Sequence, residues 1–488
     1  MSAIKPLNET QRLRADSFGW VGQFFQSMAH MAPAAAVILA MQFMSSRSGF
    51  ALPLACVFGM LLAVLLAYCL GLLTRKYYGA SGYFQIHSQA LGSRIGFTTS
   101  WLYLIYEPLN LFVTIFGFSV LIFQPFIATY LHVDLPWWSV VLIGSIIVTL
   151  LSFTDIKSSI KITGLLGLVE FIILLALGIS LIWQSNEPFH PEFFLPSSSA
   201  DGTGGLIFAF VFGFLCFMGY ESGLPLTEET SDTQNSTFKA LIWSVLIAGV
   251  FYIFIGYATI VGFGLGENSA EFAKDFSTAA NPYGSSLALK AFGTIGPWLI
   301  FFAAVNSVIA CTLASQNGCS RVFFALGRAG ILPYALGRIS NRTKAPTNAI
   351  ILAFVVTLIA TAVFALVSRN GNPVDWFGLA AIMLTLPLLV IHLITCIAVF
   401  IAYRYKESHD FHLLHHGIIP LITGLLVLLP IGGAVYYNQA YPMVYAPYVM
   451  LVWFIIGLFV YAYLKRNRPS ALATLESEME LLAHPEKD

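Results

Sequence analysis

FAFVFGFLCFMGYESGLPLTEET, residues 208–230, begins as an uninterrupted apolar run and then places Gly219, Tyr220, Glu221, Ser222, Gly223 and Pro225 in close succession. Glycine leaves backbone exposed and proline removes a donor, so one continuous helix is not expected here. Backbone groups freed inside hydrocarbon are costly unless they face protein, water or a ligand. An interruption at mid-membrane depth is therefore a candidate binding site, with a simple proline kink as the alternative. A second interruption lies near the start of the chain, in QFFQSMAHMAPAAAV, residues 23–37. There polar Gln26, Ser27 and His30 and small Ala29, Ala32 and Ala34 surround Pro33.

The wider composition sets the solvent. In 488 residues, 58% are hydrophobic, 10% are charged and the mean hydropathy is +0.79. Such a chain is expected to be an all-α integral membrane protein. Its net charge of zero suggests no nucleic acid or other polyanionic partner. Six cysteines without metal-ligand spacing read as small buried hydrophobes.

Windows of about 20 residues predict twelve spans. They are 18–45, 50–73, 96–125, 136–154, 159–183, 205–227, 238–263, 284–315, 347–368, 375–403, 417–437 and 443–464. Of the 24 Lys and Arg, all but Arg47, Lys274, Lys290 and Arg369 fall in the N-terminal segment and alternate loops, which assigns both termini to the cytoplasm. The first span is too long for a signal-peptide core and is expected to be retained. The interrupted spans are the first and the sixth, the spacing of a five-plus-five inverted repeat in which each half begins with a broken helix. The expected organisation is a cytoplasmic segment 1–17, repeats over 18–183 and 205–403 separated by an outside loop 184–204, a loop and two appended spans over 404–464, and a cytoplasmic tail 465–488. Residues 73–97 read as an interfacial segment, and residues 319–349, again semi-polar and basic, read as its counterpart in the second repeat.

Ionisable residues inside a span are functional candidates by default. The sequence reading picks out His30, Glu107, Glu170 and Glu221. Glu221, inside the sixth-span break, suits gating or coupling, or else caps the broken helix. His30 suits proton carriage or simple packing. Glu107, beside Pro108, is too deep to reach either surface and so faces a cationic group of a substrate, a proton, or a structural partner such as His30 or a tyrosine. Glu170 suits proton or cation coupling, or a buried hydrogen bond. Asn306 and Ser307, with Thr312, offer oxygens of the kind a sodium ion takes, or serve as interhelical glue. His409, His412, His415 and His416 lack the carboxylate or cysteine company of a metal site. No nucleotide-binding or hydrolase motif is present, so no cofactor and no enzymatic activity are expected.

Three stretches carry a family resemblance. They are GASGYFQIHSQALGSRIGFTTSWLYLI (79–105), FGFLCFMGYESGLPLTEET (212–230) and NGCSRVFFALGRAGILPYALGRISNRTKAPTNAI (317–350), the last with an SR, a GR-x-G and an LP at characteristic spacing. Over spans one to ten the chain resembles an amino acid permease of the amino acid–polyamine–organocation superfamily. The resemblance implies a LeuT-like fold, alternating access and transport of an amino acid by proton symport or exchange, in a plasma membrane such as a bacterial inner membrane. A polyamine or other organic-amine carrier and a permease-like receptor are the alternatives. The coupling ion expected is H+, with Na+ the alternative. Besides lipid, the partner is a small amino acid or amine, and a homo-oligomer is left open.

Carried onto this chain, the resemblance places the substrate carboxylate at Met31, Pro33, Ala34 and Ala35, the ammonium at Leu215, Cys216 and Met218, and the third-span pocket near Tyr106, Glu107 and Asn110. Ser27 and His30 complete the expected substrate site. Phe214 and Phe217 flank Leu215, where relatives carry a gating aromatic, and Glu170 falls where several relatives carry a coupling lysine.

Overall fold

A computed structural model of the chain describes residues 19–77, 82–153, 156–231, 233–279, 281–340, 345–437 and 440–468. The segment 1–17 and the amphipathic end of the tail, 471–488, lie outside the described residues. In chain order the principal helices are α1 (Trp20–Met31), α2 (Met41–Ser48), α3 (Leu52–Thr74), α4 (Tyr83–Leu91), α5 (Ser93–Phe118), α6 (Trp137–Ser152), α7 (Ile156–Trp183), α8 (Gly202–Leu215), α9 (Thr233–Phe263), α10 (Ser269–Thr278), α11 (Gly296–Arg328), α12 (Thr347–Val367), α13 (Pro373–Ile401), α14 (Ile419–Gly432) and α15 (Ala446–Asn467).

A helix satisfies its own backbone groups, which is what a hydrocarbon solvent demands. Among the described residues, nine helical runs are long and apolar enough to cross a membrane, with mean hydropathy of 1.9 to 3.0 in their most apolar windows. Two further apolar helices, α6 and α8, are shorter. The side-chain distribution is inverted relative to a water-soluble protein. Leu150, Leu165, Val250, Leu366 and Phe459 are exposed on the outside, whereas Gln26, Glu107, Glu170 and Glu221 are buried inside.

Both interruptions read from the sequence are present. Pro33 disfavours the helical region for the residue before it, and Ala32 accordingly turns left-handed at φ 48°, ψ 68°, ending α1. Helix resumes at Pro33 and runs on through a wide π-type turn, Ala36–Ala40, into α2. The second interruption follows α8. From Phe217 to Leu224 the chain coils in tight turns, with Gly219 at φ 102°. The two breaks touch. A Cβ placed on Gly219 would lie 2.7 Å from the His30 ring. Ser27 Oγ donates to the Tyr220 carbonyl at 2.7 Å and Ser222 Oγ to that of Gln26 at 3.3 Å.

Two expectations change. The eighth span does not stop at residue 315, because α11 runs on to Arg328. At about 1.5 Å per residue, this 33-residue helix is near 50 Å long and outreaches a bilayer core. Arg321, read as part of a basic loop, is buried and donates to the Glu229 carboxylate at 3.1 Å, so the charge is neutralised inside the protein. The loop 319–349 is also not the counterpart of 73–97. In a five-plus-five count the second span corresponds to the seventh, and the amphipathic segment after the seventh is α10. The described chain therefore has α4 between α3 and α5 and α10 between α9 and α11.

Helices α4 and α10 mark opposite ends of the bundle. α10 packs on α2 beside the Arg47–Asp201 ion pair, and α4 packs on α5 and α13. On the α4 side Lys76 reaches Asp410 at 2.7 Å, and this hydrogen bond holds the Asp410 carboxyl below the usual carboxylate range. The two last helices lie outside: α14 on α13 and α3, α15 on α13 and α5. The rings of Trp101 and Trp453 stack there at 4.6 Å, each indole donating to the other residue's carbonyl.

Candidate functional site

A cavity of about 70 Å³ opens where the two breaks meet. His30, Met31, Ala32 and Ala35 face it from the first break, and Leu215, Cys216 and Met218 from the second. Asn110, Val113 and Thr114 of α5, Cys311 of α11, and Phe377 and Leu384 of α13 close the remaining sides. Helix interruptions leave main-chain polar groups beside this space, and the surrounding side chains are largely apolar. That combination can hold a small zwitterion by its backbone-like end while burying an apolar side chain.

The polar groups at the cavity edge are tightly organised. Asn110 Nδ2 lies 2.7 Å from His30 Nε2. An amide nitrogen only donates, so that imidazole nitrogen accepts and the ring carries its proton on Nδ1. Thr114 Oγ1 donates to Asn110 Oδ1 at 3.3 Å, and Cys311 Sγ lies 3.0 Å from the His30 carbonyl. Behind His30, Glu107 accepts from Tyr103 at 2.5 Å and from Ser315 at 2.7 Å, while its Oε2 is 3.8 Å from His30 Nε2.

The structure sorts the sequence-derived residues into three groups. Met31, Ala35, His30, Asn110, Leu215, Cys216 and Met218 reach the cavity. Tyr106 and Glu107 do not: Glu107 is engaged by Tyr103 and Ser315, with Asn110 and His30 standing between it and the cavity. Ser27 is a strut between the breaks, bonded to the Tyr220 carbonyl. Phe214 and Phe217 also point elsewhere, against His392 and Tyr252 respectively.

A third group gathers on the far side of the first break. Pro33 faces α7 together with Gly167, Leu168 and Phe171. Glu170 lies beside Ser307, Asn306 and the Ala34 amide. Ser307 Oγ accepts from the Ala35 amide at 3.1 Å and Asn306 Nδ2 donates to the Leu166 carbonyl at 2.5 Å. Both Glu170 oxygens and Asn306 Oδ1 fall short of a hydrogen bond of ordinary geometry among the described residues, although Ser307, Asn306 and the Ala34 amide lie close to the carboxylate. Thr312 instead turns back onto its own helix, donating to the Val308 carbonyl at 2.6 Å. The helix start that the resemblance assigns to a substrate carboxylate is thus faced, at Ala34, by the protein's own carboxylate.

Glu221 Oε2 accepts from the Gly219 amide at 3.1 Å inside the second break. Among the loop histidines, His416 stacks on Tyr403 at 3.7 Å and accepts from the His412 amide at 2.9 Å, and His415 meets the Tyr68 hydroxyl at 2.8 Å. A larger hollow, about 510 Å³, is an apolar groove between α13 and α14 that includes exposed Ile397, Leu421 and Leu425 and has no convergent polar groups.

Sequence reasoning missed several residues. Cys311, Thr114, Ser315 and Phe377 carry no signal of their own, since each reaches the site only through tertiary packing. His392 is different. It is a buried ionisable residue in the middle of α13, and the criterion that selected His30 and the glutamates selects it as well.

Comparison with known proteins follows the same lines. The family described as Amino acid permease matches residues 22–473. The branched-chain amino acid permease of Bacillus subtilis is 25% identical over 203 residues, 41% of this chain and 40% of that protein. The branched-chain amino acid permease of Lactococcus lactis is 27% identical over 233 residues, 48% of each chain. The low-affinity putrescine importer of Escherichia coli is 23% identical over 328 residues, 63% of this chain and 66% of that protein. The matched stretches thus span less than two thirds of each relative's own length. With the family match running through nearly every helix from α1 to α15, the chain belongs to the amino acid permease family.

Proposed function

We propose that this protein is a secondary active transporter of amino acids with apolar side chains, working by alternating access. The observation that carries the reading is the meeting of two interrupted helices at a cavity whose wall includes apolar Val113, Leu215, Phe377 and Leu384 beside Asn110 and Thr114. The branched-chain permeases among its relatives support the same substrate class. Reading the first 55-residue run as two spans and counting α6 and α8 gives the twelve-span, LeuT-like five-plus-five arrangement. The partition of Lys and Arg supports a plasma-membrane protein with cytoplasmic termini.

Coupling belongs to the buried carboxylates in this reading. An ionised carboxylate buried without a cation is costly, so Glu170 and Glu221 suit a proton that binds and leaves during the cycle. Exchange of one amino acid for another uses the same site. Sodium is the alternative at Glu170, Asn306 and Ser307, whose side-chain oxygens offer hard ligands.

A second reading is an organic-amine carrier, favoured by the putrescine importer that matches the longest share of the chain among these three relatives. Thermal shift of the purified protein against amino acids and amines, at two pH values with and without sodium, separates the two through ligand stabilisation of the folded state. Counterflow of the hit in proteoliposomes then tests transport. Stabilisation by leucine or valine with counterflow upholds the first reading, putrescine alone upholds the second, and binding without flux refutes transport.

A further inference from the structure

Between the second break and α4 lies a seam of buried polar groups that the cavity does not use. Tyr83 and His87 come from α4, Tyr103 and Tyr106 from α5, Tyr220 and Glu221 from the second break, and His392 and Thr395 from α13, none more than 3% exposed. The contacts are continuous. Tyr220 Oη lies 3.3 Å from His392 Nε2, with the two rings stacked at 5.6 Å. The Tyr83 ring sits 6.2 Å from that of His392, 5.6 Å from that of His87 and 5.2 Å from that of Tyr103. His87 Nε2 lies 3.1 Å from Thr395 Oγ1, and Tyr103 is bonded to Glu107.

Five atoms of this seam lack a hydrogen bond of ordinary geometry among the described residues: Tyr83 Oη, Tyr106 Oη, Glu221 Oε1, His87 Nδ1 and His392 Nδ1; of these, Tyr106 Oη and the Glu221 carboxylate lie within interaction range of each other. Leaving such a group unsatisfied is costly, and buried polar atoms are ordinarily satisfied by protein or ordered water. A buried water needs two to four polar partners, and the seam offers polar atoms of that kind. The titratable groups facing Glu221 are Tyr83 from α4, Tyr103, Tyr106 and Glu107 from α5, Tyr220 beside it, and His30 across Gly219. Those facing His392 are Tyr83 and His87 from α4 and Tyr220 from the break. None of these is a lysine or arginine. Hydroxyl and neutral imidazole groups both donate and accept, so each can pass a proton on.

We propose that this seam, with water on its unpartnered atoms, carries the coupling proton between Glu221 and the α4 end of the bundle, and that His392 is its principal relay. The proton leaves Glu221 Oε1, leaving a carboxylate. His392 takes a proton on its accepting nitrogen and releases the one on its other nitrogen toward His87, so the ring ends neutral.

The inference rests on the proton-coupled reading, and one experiment separates their failures. The full chain in proteoliposomes is assayed for leucine uptake driven by an imposed pH gradient and for leucine counterflow without a gradient, with putrescine as the probe where leucine does not exchange. His392→Gln is expected to lower gradient-driven uptake by about tenfold or more, as loss of a positioned proton-transfer group does, with counterflow within about twofold of wild type. Tyr83→Phe removes only an unpartnered hydroxyl and is expected to shift the same ratio in the same direction. Gradient-driven uptake unchanged in both variants, or counterflow falling in parallel, overturns the relay and leaves coupling intact. A wild-type protein indifferent to the gradient overturns the coupling reading, and the relay with it.

Discussion

Replacing Gly219 with alanine tests the contact on which the whole site depends. The glycine sits at φ 102°, and a Cβ there would lie 2.7 Å from Cγ and Cδ2 of His30 and 2.9 Å from its backbone carbonyl carbon. Left-handed backbone costs an L-residue about 1–2 kcal/mol. Forcing a methyl group into a filled space adds about 1–3 kcal/mol. His30 cannot swing away freely, because Asn110 holds its ring at 2.7 Å and Cys311 meets its carbonyl at 3.0 Å. The expected destabilisation is therefore about 2–5 kcal/mol, read as a lowered unfolding midpoint in detergent, together with loss of counterflow. Gly432→Ala serves as the control. It lies inside α14 with open space around its Cβ position, and alanine there should be neutral or stabilising by about 0.5–1 kcal/mol. A Gly219→Ala protein that melts and exchanges substrate like wild type would refute the meeting of the two breaks.

Three further outcomes follow from the same geometry. Glu170→Gln keeps the shape beside Ala34 and Ser307 but removes the ionisable group, so gradient-driven uptake should fall while folding, followed by size exclusion, stays intact; unchanged uptake would remove Glu170 from coupling. Cys311 lines the cavity and should react with a small thiol reagent more slowly when substrate is bound, whereas Cys319, packed against Leu111 away from the cavity, should not respond. Arg321→Gln removes the guanidinium that meets the buried Glu229 carboxylate and should destabilise by about 3–5 kcal/mol in detergent melts. Replacing both with apolar residues of similar volume should recover much of that loss; equal damage in single and double variants would refute the pair.

The legible and the illegible parts of this protein divide by the range of the interactions behind them. Pro33 and Gly219 mark their breaks from the sequence because the rules that act there, a clash between proline and the preceding residue and the freedom of glycine at positive φ, are local. The end of α11 was not legible for the opposite reason. Arg321 and Arg328 look like loop charges until Glu229, about ninety positions away, is seen to neutralise the first. Glu107 was read as facing a substrate cation, a proton or a structural partner, and the sequence could not choose among them. Its partner is a tyrosine one helical turn away together with Ser315 of another helix, and the cavity lies beyond His30.

Composition, periodicity and the placement of glycine and proline by themselves determined that the chain is helical and apolar on its outside, that it is interrupted around Pro33 and around Gly219, and that a handful of ionisable residues lie inside. Each of these follows from the solvent and from neighbours within a few residues. Tertiary structure alone decided which of those residues share a space. It turned Met31, Ala35, Asn110, Leu215 and Cys216 toward one cavity and set Glu170 against the restarting first helix. It also gathered Tyr83, Glu221 and His392 into a seam. Side chains on helices far apart in the chain meet only when the helices pack, and the rotation that chooses which face turns inward is fixed by contacts from the whole bundle at once.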